Sequence, residues 1–365
     1  MSKKVIISGG GTGGHIFPAV SIANALKRID PAIDILFVGA SGRMEMDKVP
    51  EAGYMIVGLD IQGFQRKSLW KNIMLPYKLL KSLLKARSVI KEFGPHVVVG
   101  VGGYASGPLL YAAGWMNIPY LIQEQNSYAG ITNKRLGKGA KKICVAFEGM
   151  DKFFPSNKIL LTGNPIRKES VHIEGKKSEA LKSFGLDENK KTILVTGGSL
   201  GAGTLNKSML AGLNKICTAD VQLIWQTGKH YYKSVKEQIA GKSYPGVTVV
   251  EFLNRMDYAY AAADLIISRA GAGTIAELCV IGKPVILVPS PNVAEDHQTM
   301  NASALVKNMA AVLVTDQNAE VNLIEKALNI LSNDNLSMEL GRNIAKLALP
   351  DADMVIAKQV LKIAL

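Results

Sequence analysis

The chain repeats one local plan. Lys4-Val5-Ile6-Ile7-Ser8 runs into Gly9-Gly10-Gly11-Thr12-Gly13-Gly14, and Thr192-Ile193-Leu194-Val195-Thr196 runs into Gly197-Gly198-Ser199-Leu200-Gly201-Ala202-Gly203. Leu265-Ile266-Ile267-Ser268 meets Arg269-Ala270-Gly271-Ala272-Gly273-Thr274 in the same way. Each reads as a strand, a glycine turn and the start of a helix, and such turns aim backbone N–H groups and a positive helix end at an anion. The same alternation predicts strands at Val5–Ser8, Ile35–Val38, Val97–Val101, Tyr120–Ile122 and Lys142–Ala146. A second series is predicted at Thr192–Thr196, Gln222–Gln226, Val247–Glu251, Leu265–Ser268, Pro284–Val288 and Ala311–Val314. The fold class is therefore α/β, with two doubly wound parallel-sheet domains. Gly163-Asn164-Pro165 punctuates the chain between the two series and sets a hinge near residue 165.

Composition narrows the class. A chain of 365 residues that is 48% hydrophobic and 20% charged has material for packed cores, which excludes a disordered or disulfide-stapled scaffold. Cys144, Cys217 and Cys279 lie far apart with no Cys/His cluster, which fits a reducing compartment. The start meets glycines before an apolar segment of signal-peptide length, so a cytoplasmic chain is expected. Residues 97–122 carry no charge, but their glycines and prolines predict a buried strand, turn, helix and strand instead of a membrane span.

The net charge of +13 is concentrated. Between Asp60 and Glu92 there are eight positive side chains and no acid, and between Glu124 and Glu148 five more. The first half is thus expected to face something anionic. A nucleic-acid partner is not expected, because the positives come with leucines and Trp70 and no base-reading element.

Gly9, Gly11 and Gly14 satisfy the dinucleotide fingerprint, yet Ile35–Val38 runs into Gly39-Ala40-Ser41-Gly42 with no acid at its tip to hold a ribose. His15 follows the turn directly, where an imidazole can accept a proton from a hydroxyl or else cap and pack the helix start. Glu277, one turn into the third helix, can accept from both hydroxyls of a ribose or be merely solvated. Gln298 can donate to and accept from a sugar, and Gln123-Glu124-Gln125-Asn126 opens a loop at another strand end. Two halves presenting such ends toward each other would form a ligand cleft.

Seven motifs in order carry a resemblance that spans nearly the whole chain. They are Gly-Gly-Gly-Thr-Gly-Gly-His with Pro18, Gly-Gly-Tyr-Ala-Ser-Gly-Pro at 102–108, Glu-Gln-Asn at 124–126 and Gly-Asn-Pro-Ile-Arg at 163–167. Gly-Gly-Ser-Leu-Gly-Ala at 197–202, Arg-Ala-Gly-Ala-Gly-Thr-Ile-Ala-Glu at 269–277 and His-Gln-Thr-Met-Asn-Ala at 297–302 complete the set. Together they resemble the bacterial peptidoglycan N-acetylglucosaminyltransferases, which convert lipid I to lipid II. The resemblance implies a GT-B fold: an acceptor and membrane-associating domain at 1–165 with a returning helix at about 346–365, and a UDP-sugar domain at 166–345. It implies UDP-N-acetylglucosamine and lipid I as substrates, no cofactor, and a role in cell-wall building that leaves room for other cell-wall or division proteins as partners. Carried over by motif, Ser199 and Ala272, Gly273, Thr274, Ile275, Ala276 and Glu277 would hold diphosphate and ribose. Leu253 would meet the uracil through its backbone, and Arg167 and Gln298 would touch the donor. Thr12, Gly13, Gly14 and Asn126 would approach the transferred sugar, while His15, Tyr104 and Glu124 would line the acceptor pocket, with His15 the first choice of base and Glu124 the second. The family's doubled glutamine stands here as His297-Gln298.

Trp70, Ile73, Leu75, Leu79 and Leu83 alternate with Lys71, Lys78, Lys81 and Lys85, and Pro76 opens a helix. Leucines on one stripe with lysines on its flanks predict peripheral attachment to an anionic bilayer, on its cytoplasmic face. No metal is expected, because the one Asp-x-Asp, Asp351-Ala352-Asp353, follows Pro350 and reads as a helix start.

Overall fold

The computed structural model describes residues 2–63 and 73–364. The chain divides into two units, Met1–Ile166 with Leu349–Leu365, and Arg167–Ala348. The division falls just beyond the predicted hinge, and the chain re-enters the first unit at Leu349, slightly later than expected. At that junction Gly163, at φ +80°, lies against Leu349, where a Cβ would stand 2.6 Å from the leucine Cβ.

The first unit is a seven-stranded parallel sheet. Its strands are β1 (Lys4–Gly9), β2 (Asp34–Ala40), β3 (Met55–Leu59), β4 (Val97–Gly102), β5 (Tyr120–Glu124), β6 (Lys142–Val145) and β7 (Ile159–Leu161), in the order β3-β2-β1-β4-β5-β6-β7. Its central strands are apolar on both faces because helices cover both, which is why they read as unbroken Val/Ile runs. On one face the returning helix Ala352–Ile363 buries Ile356, Ala357 and Val360 with Val5, Ile7 and Phe37. Asp353, nearly buried on that helix, pairs with Arg28 and anchors the return. The Asp351–Asp353 segment is thus a helix start whose second acid has a structural task.

The second unit has six parallel strands, β8 (Thr192–Thr196), β9 (Gln222–Gln226), β10 (Val247–Val250), β11 (Leu265–Ser268), β12 (Val285–Leu287) and β13 (Val312–Leu313), in the order β10-β9-β8-β11-β12-β13. Both sheets reverse direction beside their first strand, between β1 and β4 and between β8 and β11. At such a switch point two neighbouring loops diverge from the carboxyl ends and leave a crevice. All three glycine turns lie there.

Every predicted strand forms, with ends shifted by a residue or two. Two edge strands, β3 and β7, escape the sequence reading. Met55 is 67% exposed and the next three residues of β3 are half-buried, while β7 is only three residues long. The uncharged stretch at 97–122 is β4, a glycine turn, the helix Ser106–Trp115 and β5. Among the described residues no helix is long and apolar enough to cross a membrane.

Candidate active site

In the first unit the β1 and β4 loops interlock. The His15 ring lies on Gly102, where a Cβ would come within 2.6 Å of Cδ2, and Gly102 at φ +111° turns the chain away to admit it. His15 Nδ1 is 3.0 Å from the Gly10 carbonyl and 3.5 Å from Thr12 Oγ1. A carbonyl can only accept, so Nδ1 carries the proton and Nε2 is the basic nitrogen. His15 is half-buried at the start of the helix Gly13–Ile29. Thr12 and Gly14 are exposed, Gly13 is half-buried, and Tyr104, 47% exposed, lies against Gly11.

Below this turn is a group absent from the sequence reading. Glu45, 1% exposed, accepts from the Gly11 N–H at 2.9 Å and from the Ala40 N–H at the end of β2 at 3.0 Å. An acid does return to the tip of β2, but it faces the underside of the turn. The first glycine turn therefore has a carboxylate beneath it, which disfavours a dinucleotide diphosphate there.

Glu124 is different again. It is buried at the end of β5, and its two oxygens accept from Asn126 N at 3.1 Å, Gly130 N at 3.1 Å and Asn133 Nδ2 at 2.8 Å. Burial raises its carboxyl above the ordinary range against the pull of those donors. With both oxygens bonded to these donors, Glu124 shapes the 124–130 loop. Half-buried Asn126 stands on that loop.

In the second unit the β8 turn places Ser199 in solvent, and Gly201, at φ +84°, sits so close to Thr227 that a Cβ would meet its carbonyl at 2.0 Å. The β11 turn delivers Ala272, Gly273 and Thr274 as the first turn of the helix Ala272–Ile281, with Ile275 buried and Ala276 half-buried behind them. First-turn N–H groups have no partner within their helix and point along its axis, a ready anion site. Glu277 accepts from the Tyr260 hydroxyl at 3.0 Å and lies 3.9 Å from Arg167 Nε. Burial raises the Glu277 carboxyl while the Arg167 charge and Tyr260 lower it, and burial beside Glu277 keeps the Tyr260 hydroxyl protonated. Gln298 accepts from Ser290 N at 2.8 Å, and Leu253 is buried just past β10. Glu295 and Asp296, beside Gln298, take left-handed backbone at φ +55° and +50°.

Trp70 and Lys71 lie outside the described residues. The helix Leu75–Phe93 buries Ser82, Ala86, Val89 and Ile90, so the apolar side chains of its first turns are not core. An exposed stripe runs from Ile73, just before the helix, through Tyr77, Leu80 and Leu84, each at least 58% exposed, with Leu79 beside them and Leu75 and Leu83 half-buried at the edge. The lysines differ from the even flanking expected: Lys78 pairs with Asp60 at 3.5 Å and Lys85 donates to the Gly58 carbonyl, while Lys81 is exposed. The helix Ser106–Trp115 packs alongside and adds exposed Tyr111 and Trp115, which the sequence reading left inside a buried segment.

These strand-end sites coincide with a known family. Residues 5–145 match the glycosyltransferase family 28 N-terminal domain and residues 192–355 the family's C-terminal domain. The chain belongs to glycosyltransferase family 28. Similar proteins include a UDP-N-acetylglucosamine--N-acetylmuramyl-(pentapeptide) pyrophosphoryl-undecaprenol N-acetylglucosamine transferase of Bacteroides fragilis, 59% identical over 99% of this chain and 96% of the relative. A Flavobacterium psychrophilum protein of the same name is 49% identical, with 99% and 97% covered. Among solved structures, Acinetobacter baumannii MurG is similar with a TM-score of 0.82 at 29% identity, covering 99% of each chain. A Neisseria meningitidis UDP-GlcNAc 2-epimerase shares the fold, with a TM-score of 0.66 at 16% identity and 99% and 100% covered.

In this family 28 chain the Glu277 environment is open to direct measurement. Carboxyl-carbon NMR is expected to find Glu277 protonating above the ordinary glutamate value of about 4.3. Arg167→Ala should move it further up, since the guanidinium favours the charged form; a downward move would contradict the assignment.

Proposed function

We propose that this chain transfers N-acetylglucosamine from UDP-N-acetylglucosamine to undecaprenyl-pyrophosphoryl-N-acetylmuramyl-pentapeptide, with inversion. The observation that carries the proposal is the 59% identity to a transferase of that name over 99% of the chain. The strand-end geometry supports it. The second unit holds the donor: Ser199 and the Ala272–Thr274 amides take the diphosphate, Glu277 the ribose, the Leu253 backbone the uracil, and Arg167 and Gln298 complete the contacts. Thr12, Gly13, Gly14 and Asn126 approach the transferred sugar. The first unit receives the acceptor beside His15, Tyr104 and Glu124.

In the step itself the acceptor 4-hydroxyl oxygen bonds to the anomeric carbon as the carbon–oxygen bond to the diphosphate breaks. His15 Nε2 takes the hydroxyl proton, and UDP leaves with the electron pair. The negative charge growing on the diphosphate meets fixed N–H dipoles, which need no reorganisation during the reaction.

Attachment to an anionic bilayer is supported by the exposed stripe Ile73, Tyr77, Leu80 and Leu84 together with Lys81. Aliphatic and aromatic side chains enter the headgroup boundary and each nearby lysine adds about 1 kcal/mol. Such a surface suits a lipid-linked acceptor, and the use of a nucleotide-sugar donor supports a place on the cytoplasmic face of the membrane.

Labelled sugar should pass from UDP-N-acetylglucosamine to a short-chain acceptor analogue, with UDP-glucose and UDP-N-acetylgalactosamine far poorer. His15→Ala should lower kcat by roughly 100-fold or more with little change in donor KM, as loss of a general base does. No transfer by the wild type would end the proposal, and unchanged kcat would remove His15 as base. The protein should also float with anionic liposomes, and Leu80→Glu with Leu84→Glu should abolish flotation. Equal flotation of that double variant would overturn the membrane assignment.

A further inference from the structure

We infer that Glu45 is a positioning residue that sets the protonation state of His15 through the single peptide group joining Gly10 to Gly11. This rests on the reading of His15 as base.

Both ends of that peptide group are engaged. Its N–H, on Gly11, donates to Glu45 Oε2 at 2.9 Å, and its carbonyl, on Gly10, faces His15 Nδ1 at 3.0 Å. A carboxylate at the N–H end draws electron density toward the carbonyl oxygen, and hydrogen bonds in series strengthen one another in a poorly solvated setting. The Gly10 oxygen is thereby a better acceptor for Nδ1–H, most of all when the ring is doubly protonated. A carboxylate bonded directly to an imidazole fixes its tautomer and raises its basicity; here one amide is interposed.

The arrangement is built to hold this geometry. Oε1 of Glu45 is tied to Ala40 N at 3.0 Å, which fixes the carboxylate to the end of β2. Two glycines make the space: a Cβ on Gly10 would stand 2.1 Å from Oε1, and one on Gly39 would stand 2.6 Å from Cγ. Among the described contacts, the ring and its peptide also meet the Thr12 hydroxyl, 3.5 Å from Nδ1, and Tyr104, whose ring lies against Gly11. Thr12 is neutral, and so is Tyr104 as a phenol. Glu45 is therefore the source of negative charge on this peptide among its described contacts. Neither the seven motifs nor the catalytic step requires it, yet its carboxylate is 1% exposed and its bonds lead to the reacting nitrogen.

The test is Glu45→Gln, which keeps the size and removes the charge. The expected loss in kcat is roughly ten- to a hundredfold, as for other residues that orient a functional histidine, with donor KM unchanged. Losing the carboxylate makes the imidazolium less stable, so His15 gives up its proton more readily and the acid limb of kcat/KM moves to lower pH. Histidine-15N NMR reads the coupling without turnover: the wild type should hold the Nδ1–H tautomer and the variant should populate Nε2–H. A variant with wild-type kcat, acid limb and tautomer would overturn the proposal, as would an Nε2–H ring in the wild type, which decides the matter even if the variant does not fold. Normal kcat in His15→Ala would instead remove the base reading, so the two failures are distinguishable.

Discussion

A glycine turn at the carboxyl end of a parallel strand exposes amide N–H groups that must find partners, and the identity of the partner decides what each turn does. Three such turns stand at the switch points of two sheets with the same reversal of strand order. Under the first, the protein supplies its own acceptor, Glu45, and the turn becomes a rigid mount for His15. At the third, the helix starting at Ala272 presents its first turn outward, beside an acid held by Tyr260 and Arg167. One local plan thus yields a turn that holds an inward carboxylate and carries His15, and a turn whose helix start faces outward beside Glu277, and the difference lies in side chains outside the glycine motifs.

That difference explains what the sequence could and could not reveal. The central strands were legible because burial on both faces leaves uninterrupted β-branched runs, and the first two turns because Gly11 and Gly201 take left-handed backbone at φ +84°. β3 and β7 were not, although both are apolar: Met55–Leu59 is interrupted by Gly58, and Ile159–Leu161 is only three residues long. Glu45 was hidden for another reason. It stands five residues past β2 on a short helix, Glu45–Glu51, that also carries Asp47 and Glu51, and nothing in that composition marks the acid that turns inward. Glu124 was found as a strand-end acid, but its donors come from the loop after β5 and from Asn133 on the helix Ile131–Gly137, whose placement the sequence does not give.

The basic helix shows the same limit. Its alternation of leucine and lysine was plain, but which leucines face outward depends on where Ser82, Ala86, Val89 and Ile90 meet the core. Lys78 and Lys85 are tied back toward β3, so the exposed stripe is more apolar than the sequence suggested, and Trp115 extends the apolar surface from a neighbouring helix.

The most direct measurement is a titration of 15N-labelled protein with UDP, followed amide by amide. If the turns divide their work as described, the resonances of Ser199–Ala202 and Ala272–Thr274 shift in proportion to bound nucleotide while the Gly11 amide, held by Glu45, stays in place. Strong shifts at Gly10 and Gly11 with Ala272–Thr274 unmoved would contradict it.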